Sequence, residues 1–246
     1  MIEKDNYSLI FVIACKYYRS YPTFIKYYVD NIQKFYSNTF TIIVDNNSID
    51  IQDIKDQLKD YKDVIILDNN TICKYEIGAY KVAINYMIDN DLIDKYNYCI
   101  FTQDTFILKN KYDFNNLKNN NIFACPLFYN KNDQLNYDSV KKILADINLL
   151  QYFDKSFICP MNSFVLHSSK LKEFLDYTKN IISKIKYDSH SSERYLGVIL
   201  YKLNNFVVFG IDGFSAVNYD FYSVNVYDDS KYYFVKRVFS KDEHTI

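Results

Sequence analysis

The chain has 246 residues, 49% of them hydrophobic and 24% charged, with a formal net charge of −1. This composition excludes a disordered polymer, and the length suits one large α/β domain or two small ones, of which a single domain is expected. The basic residues are spread along the chain, which excludes the clustered cationic footprint of a nucleic-acid binder.

The first apolar run, SLIFVIA (8–14), follows two acids and is too short for a signal peptide, so it reads as a buried first strand. Pro22 then opens a helix in which Phe24, Tyr27, Tyr28, Ile32 and Phe35 recur near helical spacing up to Ser37-Asn38. The run FTIIVD (40–45) is a second strand. Ser48 or Asp50 caps a helix carrying Ile51, Ile54, Leu58 and Tyr61 on one face. A third strand, DVIILD (63–68), precedes a helix from about Tyr75 to Asp89, and YCIFTQD (98–104) is the fourth. Strands with near-continuous apolar character alternating with helices imply a mostly parallel sheet covered on both faces.

Beyond residue 110 the pattern loosens. Asp138 or Ser139 is placed to cap a helix through Val140, Ile143, Leu144, Ile147 and Leu150. A strand is expected within CPMNSFVLH (159–167), a helix over SSKLKEFLDYTKNIISKI (168–185), another from about Ser191 to Leu203, and a strand at FVVFGI (206–211). No repeat and no Pro/Gly linker divides the chain. The first half, about 7–110, is the expected ligand-binding half, and about 111–246 the other half of the same domain.

In such sheets ligands gather outside the carboxyl ends of the strands. Three of the four runs end on aspartate there: Asp45, Asp68 and Asp104. The four glycines are too scattered for a GxGxxG or a GxxxxGK[ST] loop, so phosphates would need another partner, and a divalent cation on a carboxylate is the obvious one. The five cysteines have no CxxC spacing and read as reduced core residues. No run approaches the roughly 20 apolar residues of a membrane span. A cytoplasmic protein without a transmembrane segment is expected.

Several stretches carry a family resemblance. VDNNSID (44–50) resembles the segment after the second strand of family-2-like glycosyltransferases of the GT-A fold, and KYEIGAYKVAINYMI (74–88) looks like their helix along the nucleotide site. YCIFTQDTFIL (98–108) falls where the family has its DxD motif, and SERYLGVILYKLNNFVV (192–208) is similar to the acceptor-side stretch that carries the catalytic base. The resemblance implies a GT-A-like single domain that moves a sugar from a nucleotide-diphosphate sugar, by family habit a UDP-sugar, to a hydroxyl of a glycan, protein or small molecule. It implies Asp45 on the nucleotide base, Asp104 on the ribose and on Mn²⁺ or Mg²⁺, and Glu193 as the base of an inverting transfer.

Two departures stand out. Gln103-Asp104-Thr105 offers one carboxylate where the family has two, and Ser192-Glu193 keeps one of the acceptor-side acids. Gln103 and Glu76 are further candidates at the nucleotide-sugar site. Tyr17, Tyr18 and Arg19 follow the first strand, where an aromatic can stack on a base and an arginine can meet phosphate. His190 and His244 are weaker candidates for a metal. The alternatives are a non-catalytic nucleotide- or glycan-binding protein descended from a transferase, and a sugar-1-phosphate nucleotidyltransferase, whose Gly-rich loop is missing from ACKYYRSY.

Overall fold

The structure, a computed structural model, describes residues 7–16, 24–49, 51–114, 123–124, 137–155, 159, 162–204, 214–217 and 234–237. Tyr17, Tyr18, Arg19, His244 and the expected strand 206–211 lie outside them.

The first half alternates strictly. Strand β1 (Leu9–Cys15) leads to α1 (Phe24–Phe35), β2 (Thr39–Asp45), α2 (Ile51–Leu58), β3 (Val64–Asp68), α3 (Tyr75–Asp89) and β4 (Tyr98–Gln103). The second half holds β5 (Phe106–Leu108), β6 (Phe123–Ala124), α4 (Tyr137–Asp146), β7 (Phe164–His167), α5 (Leu171–Thr178), α6 (Lys186–Asn204), β8 (Phe214–Val217) and β9 (Phe234–Arg237). The main sheet runs in the order β3-β2-β1-β4-β7-β6, and β5, β9 and β8 form a second, three-stranded sheet.

Strands β1 to β4 are parallel, and β7 enters antiparallel against β4, as β6 does against β7. The sheet is mostly parallel and flanked by helices, as the alternation of runs implied. Strand β1 shows why its sequence is apolar throughout. Successive side chains point to opposite faces, so Ile10, Val12 and Ala14 join the core beneath α3, α5 and α6. Leu9, Phe11, Ile13 and Cys15 join the core beneath α1 and α2. Burying an apolar side chain contributes about 1.5–3 kcal/mol, and β1 does so on both faces.

Several local expectations shift. The helix expected over 168–185 is a 3-10 turn at Ser168–Lys170 followed by α5, which ends at Thr178. Its cap is the His167 ring, which accepts the Ser169 N–H. Helix α4 starts at Tyr137, so Asp138 sits inside the first turn. There a negative charge meets the positive end of the helix dipole.

Candidate functional site

The carboxyl ends of β1, β2 and β4 open on a cleft of about 230 Å³, bordered also by the start of α3 and the loop before α6. At its floor β1 ends in Cys15, whose buried thiol is pushed up by loss of solvent and then by the charges of Asp104 and Asp45. The two aspartates expected from the sequence therefore flank one residue.

They are held differently. Asp45 is 4% exposed, and both its carboxylate oxygens accept the Ser48 N–H at 3.1 Å, with the Ser48 hydroxyl donating as well. It caps the turn in which Asn47 takes a left-handed φ of 67°, a conformation asparagine tolerates. The Asn46 N–H donates to the Cys15 carbonyl and the Asn69 N–H to the Asp45 carbonyl, both at 2.8 Å. The turn is thereby fixed beside β1, and Asn46 and Asn47 line the cleft.

Asp104 lines the cleft directly. Its N–H donates to the Ala14 carbonyl at 2.9 Å, and its Oδ2 accepts the Lys16 N–H at 2.7 Å. The carboxylate thus closes the ladder between β1 and β4 where the strands splay. That is one reason an acid stands at the end of a buried strand.

Helix α3 delivers a second acid. Its entry turn packs on Gly78 so closely that a Cβ there would lie 1.9 Å from the Cys73 carbonyl oxygen, which only glycine permits. Tyr75 is left-handed, with φ 58°, a conformation that costs a bulky residue of order 1–3 kcal/mol. The Lys74 N–H, donating to the Ser183 carbonyl at 2.6 Å, ties this turn to the loop that supplies Lys184. Lys74, Tyr75 and Glu76 all face the cleft.

Glu76 Oε1 accepts the Gln103 side-chain amide at 2.6 Å, and Oε2 accepts that of Asn162 at 3.3 Å. Asn162 Oδ1 in turn accepts the Ser192 hydroxyl at 2.7 Å. The Asn162 carbonyl accepts the Tyr80 hydroxyl at 2.9 Å. Burial, then the Glu76 charge, keeps that phenol well above the usual tyrosine range and so a donor. Gln103, expected as a degenerate acid position, is thus a hydrogen-bond donor: an acid here would set two carboxylates against each other.

Of the expected residues, the structure brings Gln103, Asp104 and Glu76 into the cleft and Asp45 beneath it. Glu193 is half-buried on α6, next to Ser192, and is not among the residues that line the cleft. Its backbone carbonyl accepts the Cys159 N–H at 2.7 Å. Asp188 accepts the N–H groups of Lys184 and Ile185 at 2.7 and 3.1 Å, the reach-back half of a capping box at the start of α6. Sequence reasoning missed Asn162, Ser192, Lys16, Lys74 and Lys184. Asn162 takes a left-handed φ of 51° two residues before β7, and no local sequence pattern marks it.

Among the described residues no group of three or more His, Cys, Asp or Glu side chains is gathered to hold a metal ion, and no helix is long and apolar enough to cross a membrane. No protein-family model matches the chain, and no curated protein matches it. Among solved structures it is similar to an active-site mutant of LgtC, at 9% identity and TM-score 0.49, over 95% of this chain and 88% of that one. It is also similar to the mannosyltransferase PcManGT from Pyrobaculum calidifontis in complex with GDP-Man and Mn²⁺, at 9% and 0.45, over 70% and 49%. A third is the WbbM bifunctional glycosyltransferase in its apo form, at 9% and 0.49, over 94% and 46%. The chain spans about half the length of these last two. Likeness at this level assigns it no family, donor or acceptor.

Proposed function

We propose that the chain is a GT-A-type glycosyltransferase, one domain over 1–246, that moves a sugar from a nucleotide-diphosphate sugar, with UDP favoured, to an acceptor hydroxyl. The observation that carries this reading is the cleft itself: Asp104, Gln103 and Glu76 meet at the carboxyl edge of a mostly parallel sheet, where such sheets bind ligands. The motif order of the sequence resemblance supports it. Lys16, Lys74 and Lys184 line the same cleft and give a diphosphate its counter-charge.

In the transfer, the acceptor oxygen attacks the anomeric carbon while the bond to the diphosphate oxygen breaks and its electron pair leaves with the nucleotide. Glu193 takes the acceptor proton, and attack in line with the leaving group inverts the anomeric centre. Asp104 holds the nucleotide half directly, and Asp45 holds it through the turn it caps, whose Asn46 and Asn47 line the cleft. Asp104 would also carry a Mn²⁺ or Mg²⁺ ion completed by ligand and water oxygens, a thin set that suits Mg²⁺, which commonly takes one or two carboxylates plus substrate phosphates. Such an ion supplies charge stabilisation to the departing diphosphate. The setting is cytoplasmic, and the acceptor is a glycan, protein or small molecule.

Calorimetric titration with UDP and GDP, with and without Mn²⁺, tests the reading, which falls if neither binds under either condition. A second reading, a non-catalytic nucleotide- or glycan-binding protein, is favoured by the single acid in Gln103-Asp104-Thr105. Release of free nucleotide from UDP-, GDP- or dTDP-sugars on incubation with the protein separates the two.

A further inference from the structure

Glu76 is held in a way that a first-turn helix acid does not require. The helix dipole asks only for negative charge near the N-terminus. Here two side-chain amides grip the carboxylate, one oxygen each, from the end of β4 and from the turn before β7. Asn162 is itself pinned, its side-chain oxygen by the Ser192 hydroxyl and its backbone carbonyl by the Tyr80 hydroxyl. Asn162 and Ser192 are both buried. Segments far apart in the chain converge on one carboxylate, and that carboxylate faces the cleft.

Charge decides what can sit against it. Gln103 and Asn162 are neutral amides that each donate one N–H to the carboxylate and so orient it. A diphosphate oxygen placed there would meet a like charge in a partly desolvated site, where such contacts cost most. Ionised carboxylates accept hydrogen bonds and donate none. The part of a ligand that suits Glu76 is therefore uncharged and rich in O–H donors, and in a nucleotide-diphosphate sugar the ring beyond the phosphates meets that description.

We infer that Glu76 reads the hydroxyls of the donor sugar, with Gln103 and Asn162 as its positioning residues; this rests on the nucleotide-sugar reading above. It also accounts for the glutamine at 103, since only a neutral donor serves both the cleft and Glu76.

The test is titration of the full chain with UDP, GDP, UDP-glucose, UDP-galactose, UDP-N-acetylglucosamine and GDP-mannose, in Mn²⁺ and in EDTA, using wild type, Glu76→Gln and Glu76→Asp. For the sugar nucleotide that wild type binds best, its affinity relative to the bare diphosphate should fall about tenfold or more in Glu76→Gln, as loss of a charge-assisted hydrogen bond predicts. Affinity for the bare diphosphate should stay within about twofold. Glu76→Asp keeps the charge but withdraws it by one methylene, so it should lose part of the preference; it carries the comparison if Glu76→Gln shows no cooperative melt. Equal loss for bare and sugar-bearing ligands, in either metal condition, overturns the inference by placing Glu76 at the nucleotide, the cation or the fold alone. An unchanged ratio overturns it too. If wild type binds bare diphosphates but none of these sugar nucleotides, the inference fails and nucleotide binding stands; if it binds none of the six, the functional reading fails first.

Discussion

At the scale of single residues, Asp104 and Glu193 separate cleanly by what each contact does. Asp104→Asn keeps an oxygen to accept the Lys16 N–H and loses the charge a hard cation needs. The expected outcome is a melting temperature near wild type with metal-dependent diphosphate binding gone, read by calorimetry with and without Mn²⁺. Glu193→Gln leaves untouched the backbone carbonyl that receives the Cys159 N–H, so α6 keeps its place. Turnover should fall by about 10²–10⁴-fold while nucleotide binding is retained. Full activity in this variant would move the base to another group. Asp45, Gln103, Asp104 and Glu76 were legible as candidates because each stands at the end of a strand or the start of a helix. Asn162 was not, since its partner Glu76 lies across the chain and no local pattern marks that pairing.

At the scale of elements, the entry to α3 is the tightest joint of the site. Gly78→Ala forces a Cβ onto the Cys73 carbonyl, and overpacking of this kind costs about 1–3 kcal/mol. A urea melt should show that loss, and diphosphate affinity should drop with it, because the same turn carries Lys74 into the cleft. Asp188→Ala removes the acceptor for two N–H groups at the start of α6, and should cost about 1 kcal/mol with little effect on turnover. Strands β1 to β4 could be read from the sequence because burial on both faces makes them continuous apolar runs. The reversed direction of β7 could not, because a strand's apolar pattern is the same read either way. Strand β5, only Phe106–Leu108, pairs with β9 at Phe234–Arg237, a partnership between segments too distant and too short for periodicity to reveal.

At the scale of the whole molecule, the two cores leave Cys15, Cys73, Cys99 and Cys159 buried as free thiols. Burial pushes Cys15 and Cys99 well above the usual thiol range, so they lack the thiolate that reacts. Alkylation of the native protein at pH 7, read by peptide mass spectrometry, should leave these four unmodified, and denaturant should expose all of them. The place of β7 in the sheet carries a different consequence, one of timing. Strand β4 is covered on one edge by β1 and on the other by β7, yet residues 104–163 separate it from β7 in the chain. At about 5–20 residues per second on the ribosome, the outer edge of YCIFTQ waits several seconds for its partner. An uncovered apolar edge strand is a template for pairing with another chain. A nascent chain stopped near residue 150 should therefore self-associate through β4, and light scattering on the 1–150 fragment should find oligomers that the full chain does not form.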